Sequence, residues 1–223
     1  RARKASLTPR REPPTTLPRG PSTNRALHFS PAKRHTFPPP FTTEIKLNQF
    51  LISGLNHVVA DLPSDRIFER APGNGHPPVW VLGHLAICGE LGQSFLDGSV
   101  THPNWLATFG PGSSDDIAPT DQFSKDEFLA SIHSGYQSLQ EMARSADERA
   151  MQRPHGVALL DGTKVETAGD LVSHLLTSHF AFHLAQLSAW RRAAGHGPLF
   201  ERRPPNRQAQ SESKTLLEGQ ALR

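Results

Sequence analysis

The stretch His179-Phe-Ala-Phe-His-Leu-Ala-Gln-Leu-Ser-Ala-Trp-Arg-Arg192 holds two histidines where a helix facing a core should carry apolar side chains. Its inner face reads Val172, Leu175/Leu176, His179, Phe182/His183, Gln186 and Trp190, at the steps of three and four that define one side of a helix. Thr167 with Asp170 forms a Thr-x-x-Asp start, and Gly195, Gly197 and Pro198 form a stop. His179 and His183 stand one turn apart, about 6 Å along the axis, so their imidazoles can address one point. Burying two imidazoles is costly unless something satisfies them. The spacing alone is weak, since twelve histidines produce such a pair about 0.6 times by chance in a chain of this length. His174, five residues before His179, is expected to point away from that face, at the surface or against a loop.

Working outward, a second imidazole-bearing face appears upstream. A Pro- and Gly-rich link, Ala71-Pro-Gly-Asn-Gly-His-Pro-Pro78, leads into a helix expected to start at Pro77 or Pro78, where a missing N–H costs nothing. Its apolar face reads Trp80, His84, Ile87/Cys88, Leu91 and Phe95, and it should end near Asp97-Gly98. Packing this helix against the last one would bring His84 to His179 and His183. Three neutral imidazoles bind a divalent ion and leave at least one position for water, the arrangement of a catalytic rather than a closed structural site. Zn²⁺, Ni²⁺, Fe²⁺ and Mn²⁺ all suit imidazole ligands. Cys88, one turn beyond His84, is either a soft fourth ligand or a small core residue.

Two further helices complete the pattern. Leu47, Leu51, Gly54, Val58 and Leu62 share one face of a helix that Pro63 ends. Ser124 and Glu127 form a capping box, with Phe123 and Phe128 placed as a hydrophobic staple, before a helix whose inner face is Phe128, Ile132, Tyr136, Leu139 and Ala143 and which fades near Ser145. Residues 99–123 and 147–166 read as long loops; Val157-Ala-Leu-Leu160 is the best strand candidate and is short. Four amphipathic helices of about 20 residues predict an all-α four-helix bundle.

The charge is unevenly spread. Residues 1–40 carry nine Lys/Arg and one acid, whereas residues 41–200 carry ten basic and seventeen acidic residues. The expected organisation is a disordered basic Pro/Arg-rich tail over 1–40, the bundle over 41–200 and a flexible C-terminal tail over 201–223. The first segment also has the composition of a transit peptide or of a nucleic-acid-binding tail. A whole-chain nucleic-acid binder would rest on the tails alone, so nucleic acid is not an expected partner. The single cysteine excludes an intrachain disulfide and a Cys-based zinc cluster, and fits a reducing, cytoplasmic setting. No apolar run approaches the length needed to span a bilayer, so no membrane partner is expected.

Trp80-Val-Leu-Gly-His-Leu-Ala86 resembles the WxLGHLA start of the second helix in DinB-like proteins, and His179 to Arg192 resembles their HxxxHxGQ pattern. Trp105-Leu-Ala-Thr-Phe-Gly-Pro-Gly-Ser113 is similar to loops of that family. The resemblance implies a bundle with an up-down-down-up chain path, and it implies His84, His179 and His183 as ligands of one divalent metal. Ala185 departs from the family's Gly before the Gln, with tighter helix packing expected there. The superfamily also implies a metal-dependent transferase or isomerase using a low-molecular-weight thiol; a metal that activates water would instead make a hydrolase, and a small-molecule substrate and a homodimer are further expectations. The competing expectation is a non-catalytic metal- or small-ligand-binding bundle. Glu90, Asp97 and Tyr136 are the available acids or bases, and none has a position that assigns it a catalytic role.

Overall fold

The computed structural model describes residues 39–73 and 75–199; the expected tails over 1–40 and 201–223 lie, apart from residues 39 and 40, outside the described residues. The described chain is all-helical: α1 (Thr42–Val59), α2 (Pro78–Ser94), α3 (Pro103–Phe109), α4 (Lys125–Ser145), α5 (Glu148–Met151), α6 (Ala168–His174) and α7 (Phe180–Ala193). A π-helical turn, Leu175–His179, joins α6 to α7 in one rod. Among the described residues the only β feature is an isolated bridge between Pro154 and Thr167. The rod α6–α7 with α1, α2 and α4 makes the four-helix bundle; α2 packs on α4 and α7, and α1 on α7 and the π turn.

Local chemistry sets the ends. Pro78 opens α2 at its first position. Ser124 Oγ accepts from Glu127 N at the start of α4, and the Phe123 and Phe128 rings stack 5.9 Å apart as the expected staple. Thr167 and Asp170 make a complete capping box on α6. After α7, Gly195 adopts φ 84°, and His196 N donates to Arg191 O while Gly195 N donates to Arg192 O. That pair of bonds is a Schellman stop, which Gly favours because it has no Cβ to strain the left-handed backbone.

Several sequence expectations are corrected. The core face of α1 is Ile45, Asn48, Leu55, Val58 and Val59, while Leu47 is 49% exposed. The apolar-only pattern held Val58 and Leu62, both buried, but was centred to one side of this face because a polar residue, Asn48, sits at its centre. Asn48 Nδ2 donates to Leu176 O at 2.8 Å, and Asn48 Oδ1 accepts from Gln140 Nε2 at 2.8 Å. Helix α2 has no single apolar stripe, since nearly all of its residues from Pro78 to Gly92 are buried. The loop expected over 99–123 contains α3, which seats Trp105 and Phe109 against Phe128. The loop expected over 147–166 contains α5, and the strand candidate 157–160 is instead a 3₁₀ turn over Ala158–Leu160. Ala185 is exposed, so it tightens no packing. No described helix is long and apolar enough to cross a membrane.

Candidate metal centre

Helix α2 runs through the middle of the bundle, and its glycines let neighbours come close. Gly83, which precedes His84, has the Phe109 ring where its Cβ would be, at 2.5 Å. The same Phe109 supplies the backbone carbonyl that accepts from His84 Nδ1 at 2.6 Å. This bond makes Nδ1 the protonated nitrogen and turns the Nε2 lone pair inward. The Gly-His pair is therefore one device, in which the small residue admits the phenyl ring and the carbonyl behind that ring orients the imidazole.

The other two histidines come from the rod. His84 Nε2 lies 3.1 Å from His179 Nε2. The His183 ring centroid is 4.6 Å from that of His84 and 4.5 Å from that of His179. His183 Nδ1 donates to Gln186 Oε1 at 2.7 Å, so the Gln of the motif orients the second histidine of the HxxxH pair. Cys88 Sγ lies 3.5 Å from His84 Nε2 and 3.9 Å from His179 Nε2. His84, Cys88 and His179 offer donor atoms that all fall within 4.8 Å of one another, a group that His183 does not join although its ring is adjacent.

His174 is corrected: its ring centroid is 5.5 Å from that of His179, and it lines the same cavity. In a regular α-helix, five residues turn the side chain about 140° away. The π turn closes i→i+5 instead, bringing the fifth residue back to one side. Phe182, expected on the inner face, is 61% exposed at the cavity mouth.

Two residues around the site were not anticipated. His76 stacks on Trp80 at 3.9 Å between centroids, and Trp80 stacks on His84 at 4.6 Å. Asp115 accepts from His76 Nδ1 at 2.7 Å and from the Arg70 guanidinium at 2.7 and 3.0 Å. Arg70, with help from His76, lowers the Asp115 pKa to about 2. No local pattern marks Asp115, because its partners are 39 and 45 residues away.

The three named acids and bases do other work. Glu90 is buried and accepts from the Thr101 and His102 backbone N–H groups and from His102 Nδ1, anchoring the entry to α3. Asp97 pairs with Arg153 at the surface. Tyr136 is fully buried against Gly89 and Phe180, and burial pushes its phenol pKa well above the usual value.

The donor set fits a divalent ion. Two nitrogens, each about 2.1 Å from one ion at angles of 90–110°, lie about 3.0–3.4 Å apart, and the His84–His179 separation falls in that range. His179 Nδ1 is buried without a partner. Burial, then the neighbouring imidazoles, lower the pKa of His179 to about 2; burial first and then His84 lower that of His183 to about 4. Burial also lowers the pKa of His84. All three are therefore held in the neutral, ligating form at neutral pH.

These shifts give metal-free protein a definite acid response. An unfolded histidine takes up its proton near pH 6.5, whereas these folded histidines resist it. Their contribution to stability is thus fully present above pH 6.5 and is lost as pH falls below 6.5, towards about 4 for His183 and on towards about 2 for His179. Thermal unfolding of chelator-treated protein should shift to lower temperature from pH 7 to pH 5, and His179→Leu should flatten that slope. An unchanged slope in the variant would remove His179 from this account.

Gly83→Ala tests the Gly-His device. Alanine gains about 1 kcal/mol of helix propensity. Its Cβ meets a Phe109 ring already enclosed by Trp105, Phe123 and Phe128, and overpacking of this kind costs about 1–3 kcal/mol, occasionally more. The expected result is a net loss of stability in urea unfolding and weaker metal binding, since the Phe109 carbonyl moves with its ring. A stabilised variant would show that the ring yields freely.

Histidines from two helices meeting beside an apolar cavity define a helical bundle built around an inward-facing imidazole cluster. The profile of the DinB superfamily matches residues 50–187, and the chain belongs to that superfamily. No individual curated protein matches it.

Proposed function

We propose that His84, His179 and His183 bind one divalent metal ion, and that the protein is a metal-dependent enzyme of thiol-dependent transferase or hydrolase type acting on a small molecule. The observation that carries this reading is the 3.1 Å approach of His84 Nε2 to His179 Nε2, with the His183 ring against both. Bound there, the ion would lower the pKa of a thiol or water occupying its open position. The chain's own residues orient the site: Phe109 O sets His84, Gln186 sets His183, and the His76–Trp80 stack covers one wall. Capped helices and a continuous core hold the bundle without metal.

Purified protein should bind one zinc or cobalt ion per chain. Chelation should lower Tm modestly and leave the circular dichroism helical. Collapse of the helical signal would instead mark the ion as a structural element whose binding energy is folding energy.

A second reading has its own observation, the donor reach of Cys88. A Cys88 thiolate would complete four protein ligands and make a closed, non-catalytic metal-binding bundle. Burial holds the thiol up at about 12 in the metal-free protein. The cobalt form separates the two readings: a thiolate-to-cobalt charge-transfer band that disappears in Cys88→Ala supports the closed site. A spectrum without that band, unchanged by the substitution, supports the open one.

A further inference from the structure

The cavity next to the imidazole cluster measures about 320 Å³, at the small end of sites that enclose small molecules. Its polarity is divided. His84, His179, His183, His174 and His76 account for its imidazoles, and the remaining wall is built from α2, Pro111 and Gly112 of the α3–α4 connection, the α5–α6 connection and the rod. Leu91 and Phe95 come from α2, Val157 and Leu160 from the connection, and Leu171 and Leu175 from the rod. Among the described lining residues there is no Asp, Glu, Lys, Arg, Ser, Thr, Asn or Gln. Leu159, 72% exposed, and Phe182 stand on the same lining, so the apolar surface continues outwards.

This lining has a consequence for the ligand. A charged or sugar-bearing thiol needs partners for its carboxylates, ammonium groups or hydroxyls, and desolvating them unpaired is costly. A hydrocarbon body needs none and gains from leaving water, by about fourfold in affinity per buried methylene. At about 30 Å³ per atom-sized unit, the cavity holds on the order of ten non-hydrogen atoms.

The geometry points to a ligand with an alkyl or aryl body of that size, carrying one terminal anionic donor such as a thiolate, its head at the imidazole cluster and its body along the wall of Leu91, Phe95, Leu160 and Leu171. The position of the head rests on the proposed metal reading; the selection of the body rests on the cavity wall alone.

Hexanethiol and glutathione share a thiol head and differ in their bodies, so full-length protein can be titrated with each by calorimetry. Metal content is measured on the same samples. Zinc-loaded protein should bind hexanethiol at least about 100-fold tighter than glutathione. Chelator-treated protein should keep the preference for hexanethiol at lower affinity for both. Leu160→Glu places a charge on the wall at a partly buried position and should weaken hexanethiol at least tenfold, with glutathione little changed. Protein that retains no zinc after loading, while still preferring hexanethiol, would sink the metal reading and leave the body selection standing. Glutathione binding as tightly as hexanethiol, or neither binding at millimolar concentration with zinc retained, overturns the inference.

Discussion

His84→Ala should purify as a helical protein whose zinc affinity has dropped more than about 100-fold. Loss of an outer partner of a metal ligand typically costs 10–100-fold, and removal of the ligand itself should exceed that. The structural cost is smaller. The Phe109 carbonyl loses its donor, for about 1–3 kcal/mol, and the chain keeps its core of Leu82, Leu85, Phe128, Ile132 and Trp190. Circular dichroism and urea unfolding report the fold, while competition with a zinc indicator reports the ion. Gln186→Leu should give a milder loss in the same assay, since His183 stays present but unoriented. Unchanged zinc affinity in His84→Ala would dismantle the proposed site.

Asn48→Leu is expected to lower stability by about 2–5 kcal/mol. The substitution removes the Asn48 donor from Leu176 O in the π turn and the Asn48 acceptor from Gln140 Nε2 on α4, each loss costing about 1–3 kcal/mol. The effect should reach the site, because the same turn ends at His179. Zinc affinity should therefore fall in a protein that is still folded at low temperature. Gln140→Leu in the Asn48→Leu background should cost less than in the wild type, since removing both partners leaves fewer orphans. Strict additivity of the two substitutions in urea unfolding would show that no coupled network joins α1, α4 and the rod.

The helices themselves were legible because their signals are local. Ser124, Thr167 with Asp170, Pro78 and Gly195 act within one turn of the chain, and each does in the structure what its position indicates. The motif around His84 and the HxxxH pair named the imidazoles that meet. The elements missed were short or partnered at a distance. α3 has seven residues and no side-chain cap, and its hold on the core is the Phe109 ring on Gly83 of α2 and aromatic contact with Phe128 of α4 rather than periodicity of its own.

The sequence by itself determined an all-α bundle, the approximate ends of its long helices and three histidines facing inward, because caps, stops and the 3.6-residue period are properties of contiguous residues. The tertiary structure alone decided how far the buried face of α1 is turned from its apolar stripe, that His174 joins the cavity, that Cys88 stands within donor distance of His179, and that Asp115 holds the His76 that stacks on Trp80. Asn48 looks polar and solvent-facing until a carbonyl 128 residues away needs its amide, and the π turn that swings His174 round leaves no mark in the helical period. Those facts depend on groups that only folding brings together, so no local pattern in the chain carries them.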